Sequence, residues 1–548
     1  MKSPLNDKKV SFRCKPSLIN AAVRSSIFVL GLAHGSAHAA DIAVNSASDN
    51  GVGCTLREAI NSANTSLDQG NGCATGSDSD VDRILFDSTG FATATSIQLG
   101  NGQLELQNKN IEIDAQSVTG GVTLMADSAT RVMQVSGGDV SLNNLTITGG
   151  RAVDSGGGLL INDGAVVTLT DSQVSDNTVT ESGGGIHLDG ESTLSLQSST
   201  VTTNRADQNQ STFGGAIYAG NGNTIELQDS EISENTIRSA SGRFSAGIFA
   251  RENNTVRVIN SSISNNAASA IEIRGGSSLD LIDSVIENNA DGSSAALELL
   301  GAGVVNITRS RIVGNEGFLT SAALSIDGKT TTIVDSVISN NSTANGLLGG
   351  AFNFDNGRFI VTNTTISNNK ITNDNAAYAA GGSIGMGADV TFNHVTMSDN
   401  NVYSNRGFGT SLLVLGGTLN LQNSIIANSV GPSDISCSVP IGTVTIDSAT
   451  IIEDGSCGAA RNGDPGLLPL NNNGGPTQTN ALNQGSIAIN TGDTTTCLQT
   501  DQRGGERDVL CDVGAFEFGA DVPGDTLDNE PQTFLIPLPN GKVVIFDL

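Results

Sequence analysis

Between residues 140 and 426 apolar positions recur in a fixed frame. Aligned on Ile147, Val174, Val201, Ile232, Ile263, Ile286, Ile312, Ile338, Ile366, Met397 and Ile426, eleven copies follow one another at intervals of 23 to 31 residues. Five residues before each key position the chain is apolar in all eleven copies, from Leu142 and Leu169 to Phe392 and Leu421. Two residues earlier again it is apolar in ten, the exception being Thr331. A spacing of two is strand alternation with one buried face, and the change of phase before the key position marks a turn.

Two polar columns accompany the apolar ones. Three residues after the key position stand Asn177, Asn204, Asn235, Asn266, Asn289, Asn315, Asn341, Asn369 and Asn400. Asn suits a turn, since its side chain bonds local backbone and it tolerates the left-handed region. Stacked turns would let the amides bond along the stack, as in cross-β ladders; nine independent turn residues are the alternative. Two residues before the key position Ser172, Ser199, Ser230, Ser261, Ser284, Ser310, Ser336, Thr364 and Ser424 form the second column.

A β-patterned period of this length means a solenoid or a propeller. The four strands and Trp-Asp signal of a blade are missing, and the variable excess falls in one place, as at 205–214 and 236–245. A parallel β-helix accommodates loops at one corner without disturbing its rungs. Eleven rungs at about 4.8 Å give a rod of roughly 50 Å. Segments 97–125 add one or two less regular rungs, for eleven to thirteen in all.

Both ends of such a rod expose strand edges and need covering. Thr55 and Glu58 have capping-box spacing, and Leu56, Ala59, Ile60 and Ala63 then share one face of a short helix, which predicts an N-terminal cap. After Phe518 comes an acidic linker, 519–533, and then two apolar strands flanking Asn540-Gly541, a hairpin signal. Pro537 and Pro539 demote the first arm to an edge or docking strand. The hairpin either caps the last rung or adds to an export or surface-retention partner.

Composition narrows the setting. The 548 residues carry a formal charge of -29, no Trp and only 15% charged residues. That balance argues against nucleic-acid partners, which need clustered Lys and Arg. No apolar run of membrane-spanning length occurs. Lys2, Lys8, Lys9, Arg13, Lys15 and Arg24, the apolar stretch Ile27 to Ala33, and Ala37-His38-Ala39 read as an export signal, cleaved near Ala39. Cys14 would leave with it, and the six others form sequence-local pairs: Cys54 with Cys73, Cys437 with Cys457, Cys497 with Cys511. In an exported chain these read as three disulfides.

Residues 54–64 (CTLREAINSAN), Cys73 and residues 82–87 (DRILFD) resemble the N-terminal CSLREA domain of exported bacterial β-helix proteins, with Thr55 for the usual Ser. Residues 183–188 (GGGIHL), 214–218 (GGAIY) and the Asn corners resemble, more loosely, the right-handed repeats of pectate-lyase-like and polymorphic outer membrane proteins. Residues 464–482, 486–493, 501–504 (DQRG) and 511–517 (CDVGAFE) are similar to the choice-of-anchor Q domain. The resemblance implies an all-β, right-handed parallel β-helix at the cell surface or outside it, with no reaction attached. The organisation expected is a signal peptide at 1–39, a CSLREA-like cap at 40–92, β-helix repeats at 93–430, a choice-of-anchor Q-like domain at 431–518, and a linker and hairpin tail at 519–548.

Candidate chemistry is sparse. Asp171, Asp229, Asp283 and Asp335 recur three residues before the key position, where calcium-dependent lyases could place carboxylates. The same column holds Asn260, Arg309, Asn363 and Asn423, as a polar corner would. Asp78, Asp80 and Asp82 alternate as in a calcium loop but lack its Gly and Glu. Arg503 with Asp501, Arg507 and Asp512 is the densest charge cluster and reads as a structural ion pair. His187 and His394 make no dyad, and paired cysteines offer no nucleophile. Tyr218, Tyr378 and Tyr403 are too few for a sugar-stacking groove. Phe213, Phe244, Phe318 and Phe408 either seal the corner loops or build a protein-binding ridge. A non-catalytic adhesion or cell-envelope protein, with a surface protein or a glycan as ligand, is the leading expectation; a polysaccharide lyase or hydrolase on the same scaffold is the alternative.

Overall fold

The computed structural model describes residues 41–548 except 69, 71, 89, 128, 208–212, 239–244, 291–294, 318–320, 345–348, 373–378, 404–410, 433–434, 524–533, 538–542 and 547–548. The expected signal peptide, with Cys14, therefore lies outside the described residues, as do Phe244, Phe318, Phe408, Tyr378 and the Asn540-Gly541 turn. Among the described residues no helix is long and apolar enough to cross a membrane.

Alternating columns that return once per repeat can pair only with their own copies in the next repeat. In one rung Leu159–Asn162, Val166–Thr170 and Gln173–Ser175 wind in turn around the core, and Thr178–Val179 adds a short fourth strand. Each lies parallel to its counterpart one rung on, pairing Leu159 with Ile186, Leu169 with Leu196, Val174 with Val201 and Thr178 with Arg205. Repeated for about twelve turns, this is a parallel β-helix with three long faces. Val167, Leu169 and Val174 are fully buried, as are their counterparts along the rod. Thr331 takes its apolar slot at 1% exposure, its hydroxyl left without a partner. Parallel pairing overruns residues 93–430 at both ends, from Asp41–Val44 to Ile451–Ile452. Helix and loop interrupt the repeat between Val44 and Asp82, which hides the first rungs from a periodicity search.

The corners run on side-chain oxygens. Asn177 accepts Gly150 N at 2.9 Å, and each later ladder asparagine accepts the backbone N–H and one amide proton of its predecessor: Asn177 N and Nδ2 donate to Asn204 Oδ1 at 3.1 and 3.0 Å, and Asn369 does the same to Asn400 at 3.1 and 3.0 Å. The other Nδ2 proton bonds a key-residue carbonyl one rung back, as from Asn204 to Val174 O at 2.9 Å. The serine column is a second ladder, in which Ser172 N donates to Ser199 Oγ at 3.0 Å and Ser199 N to Ser230 Oγ at 3.1 Å. A third ladder joins the first and second faces through Ser192, Asn223, Asn254 and Ser277.

The left-handed conformation expected of the ladder asparagines falls one residue earlier. Asp176, Thr203, Glu234, Asn265 and Asn288 have φ of 54 to 57°. The preceding residue makes the bend, which leaves the asparagine free to point along the stack. Glycine is required at Gly183, where φ is +69° and an added Cβ would lie 2.3 Å from Ile186 O.

Both ends are closed. Helix Leu56–Thr65 carries the capping box and buries Leu56, Ala59, Ile60 and Ala63 over the first rungs. Its Arg57 bonds Gly102 O and Gln103 O, each at 2.7 Å, and Asp49 at 2.8 Å. At the far end Cys437 and Cys457 are bonded, and Cys457 and Ala459 pack against the core. There three carboxylates take the last free corner N–H groups: Asn423 N to Asp447 and Ser436 N to Asp454 at 2.8 Å, and Asn428 N to Glu453 at 2.7 Å. Strands Phe534–Pro537 and Val543–Phe546 pair antiparallel as a two-stranded sheet of their own.

Replacing Asn289 by Ala removes the acceptor for Asn266 N and Nδ2 and the donor to Ile263 O. Stranding these buried groups should cost on the order of 1–3 kcal/mol. A urea midpoint equal to that of the parent chain would show that the ladder contributes nothing.

Candidate functional site

The corner between the second and third faces is built by one left-handed residue per rung. Asn144, Asp171, Ser198, Asp229, Asn260, Asp283, Arg309, Asp335, Asn363, His394 and Asn423 all have φ between 43 and 56°. This is the column of recurring aspartates. Asn and Asp reach that conformation most easily among residues bearing a Cβ, so backbone geometry accounts for the recurrence. The sharp bend leaves a furrow along the rod.

Over the first half of the rod the furrow is open. Two connected hollows of about 340 and 480 Å³ share Ser198 and Thr200 and run from Gly120 to Asp283. Asp171, Asp229, Asn260 and Asp283 are exposed on one side, and Thr200, Glu231 and Ser262 stand on the other. Arg309 forms a two-point pair with Asp283, each contact 2.6 Å. Among the described residues Asp171, Asp229 and Glu231 form no ion pair. The column aspartates sit on alternate rungs, Glu231 shares the rung of Asp229 across the furrow, and no three of these carboxylates gather at metal-binding distance.

Over the second half the furrow is filled by residues 477–515. Asn363 Nδ2 donates to Thr500 O at 2.9 Å, Asn393 Nδ2 to Thr496 O at 2.9 Å, and Asn423 Nδ2 to Asp493 O at 3.2 Å. Thr365 Oγ1 donates to Gln502 at 2.6 Å, and Thr477 Oγ1 to Asp335 O at 2.9 Å. Burial pushes the Asp335 carboxyl up to about 6. Ile425, Ala427 and Ile451 face outward here and pack with Ala481, Leu482, Val513 and Phe516. Where other rungs carry Gln173, Ser175, Thr200 and Thr202, apolar Ile425 and Ala427 were the sequence signal for this docking.

The charge cluster holds the docked segment in shape. Arg503 bonds Asp501 at 2.7 Å and lies 3.7 Å over the Phe516 ring, while buried Arg507 and Glu517 pair at 3.0 Å. Bonded Cys497 and Cys511 pack on His394, whose Nε2 is 3.9 Å from Cys511 Sγ and whose pKa burial pushes down to about 2. These three are the one metal-sized group among the described residues, and their sulfurs are tied in the disulfide. Cys54 and Cys73 are bonded beside the N-terminal helix.

Asp78, Asp80 and Asp82 do not gather into a ligand set. Asp78 faces solvent and reaches Lys109 at 3.4 Å, and its pKa is lowered by hydrogen bonds from Ser66 and Lys109. Asp82 is buried, accepting Ser77 N at 2.7 Å, and burial raises its pKa.

The outward row of the first face holds a feature that sequence reading missed. His187 stacks on Tyr218 at 4.7 Å, Tyr218 on Phe249 at 5.6 Å, and Phe213 seals against Phe249 at 4.4 Å. The next two rungs place Glu272 beside Glu298, both buried. Arg274 pairs with Glu272 at 2.6 Å, while burial drives Glu298 up to about 7. Parallel register alone brings these carboxylates together; a row read by spacing from Gln134 to Glu298 would have exposed it.

The pH dependence follows from Glu298. An acid whose folded pKa is raised stabilises fully below its unfolded value, near 4.5, and loses that contribution as pH climbs through about 7. Glu298→Gln keeps an acceptor for Ala295 N and sheds the charge. Its melting temperature should exceed the parent's above pH 7, by a stability of roughly 2 kcal/mol, and match it near pH 4. A difference independent of pH would refute the assignment.

No curated protein matches the chain. Residues 157–336 and 215–393 match the family model of the right handed beta helix region, and the rod is a right-handed parallel β-helix.

Proposed function

We propose that this chain is exported and acts as a non-catalytic rod for adhesion or cell-envelope interaction. The observation that carries the reading is the open furrow: a long, solvent-facing surface lined by polar side chains, whose column aspartates recur on alternate rungs and which gathers no three carboxylates at one point. Catalysis needs such groups to converge on one reacting centre, whereas adhesion uses their repetition. The resemblance of residues 54–64 to CSLREA domains and of 464–517 to choice-of-anchor Q domains agrees with a surface setting. Purified chain, added to cells that lack it, should bind the envelope; a rod recovered entirely in the supernatant would count against adhesion.

The rival reading, a polysaccharide lyase or hydrolase, is favoured by one observation, the neighbouring carboxylates of Glu272 and Glu298 next to an aromatic row. Both are roofed: Ser245 N bonds Glu272 at 3.2 Å and Ala295 N bonds Glu298 at 3.3 Å. Incubation with acidic polysaccharides and calcium should therefore release neither unsaturated product nor reducing ends. Release that disappears in Glu298→Gln would establish the enzyme instead.

The hairpin Phe534–Pro537 and Val543–Phe546 follows the acidic linker and supplies edges for strand addition to an export or surface-retention partner. Deleting residues 534–548 should leave the melting temperature unchanged and move the rod from the cell surface into the medium or periplasm. Unchanged location with a lower melting temperature would make the hairpin a cap.

A further inference from the structure

We propose that the open part of the furrow, from Asn144 to Asp283, docks a basic, irregular polypeptide segment of a partner. The proposal rests on the adhesive reading above and names its site and the chemistry of its partner.

The open furrow and the filled one are the same corner, built by the same left-handed column. Exposure of that column ends where the docked segment begins: Asp229, Asn260 and Asp283 are exposed, Asn363, His394 and Asn423 buried. The chain thus displays, in its own second half, what this corner accepts.

Asp493, Thr496 and Thr500 offer their carbonyls to Asn423, Asn393 and Asn363 on three successive rungs. The segment runs along the rod axis, three to four residues per rung, without strand pairing to the rod. A corner of this kind reads backbone at rung intervals, and any unstructured segment of suitable charge satisfies it. Hydroxyl-bearing Ser198, Thr200 and Ser262 continue that hydrogen-bonding surface into the open half.

In the filled half a cation of the docked segment faces the column: Arg507 Nη2 donates to Asn363 Oδ1 at 3.2 Å, with Asp335 on the neighbouring rung. The open half presents Asp171, Asp229 and Glu231 with no basic partner among the described residues. Opposite charge across an interface fixes register and speeds encounter, so the missing counterpart is Lys or Arg on the partner.

The test uses the purified oxidised chain and a fluorescein-labelled synthetic peptide of alternating Thr and Arg, read by anisotropy, with the Thr and Glu peptide beside it. Asp171→Asn with Asp229→Asn removes the charge and keeps the bend, because Asn260, Asn363 and Asn423 already occupy the same conformation, and the amide donors it adds would favour a backbone-only mode of docking. The basic peptide should bind, the acidic one should not, and the double variant should weaken binding about tenfold or more. Asp163→Asn, an exposed left-handed position on another corner, should leave affinity unchanged. Equal weakening by Asp163→Asn, or no binding by the parent chain, overturns the groove. Envelope binding by the double variant is measured in parallel. A rod that still adheres while the peptide fails refutes the groove and spares the adhesive reading. Peptide binding that depends on Asp171 and Asp229 in a rod that adheres to nothing supports the groove and removes the adhesive reading.

Discussion

Along the middle of the rod each rung depends on a side-chain oxygen belonging to the next one. Strand ladders satisfy the backbone along the flat faces, but at each corner the chain bends and an N–H is left pointing down the stack with no carbonyl beneath it. Leaving such a group buried and unpaired costs about 1–3 kcal/mol, and a rod repeats the problem at every turn. Asn204 Oδ1, Ser199 Oγ and Asn223 Oδ1 are three solutions to it, one per corner. The apolar columns place the rungs; these oxygens let them stack without loss.

That division explains what could be read from the residues in order. The apolar columns were visible because burial tolerates only a few residue types at a spacing of two. The ladder asparagines were visible because a single residue type, whose short amide both donates and accepts along the stack, fills all nine positions. The bend beside them was not, since Asp176, Thr203, Glu234 and Gly314 share a backbone angle and no side-chain chemistry. The Ser192, Asn223, Asn254 and Ser277 ladder mixes two residue types, so no column of one letter marks it. Glu272 and Glu298 became a pair only through register. The docking of residues 477–515 has no period at all; its trace was the replacement of hydroxyls by Ile425 and Ala427 on an outward face.

The docked segment and the open furrow show how one corner serves two ends. Its polar side chains hold an internal segment in place near Asn363 and Asn423, where an apolar patch and a buried ion pair accompany them. Near Asp171 and Asp229 the same backbone angle carries charge on an open surface. A surface of that second kind favours contacts that form and break easily, because solvated charges bring partners together faster than they hold them.

The three carboxylates at the far end, Asp447, Glu453 and Asp454, have a consequence for how such a ladder can end. A ladder amide accepts from the rung before and donates to the rung after, as Asn204 does between Asn177 and Asn235. An ionised carboxylate accepts and has no proton to donate, so Asp447, Glu453 and Asp454 receive the corner N–H groups of the rung before and ask for no side-chain acceptor in return.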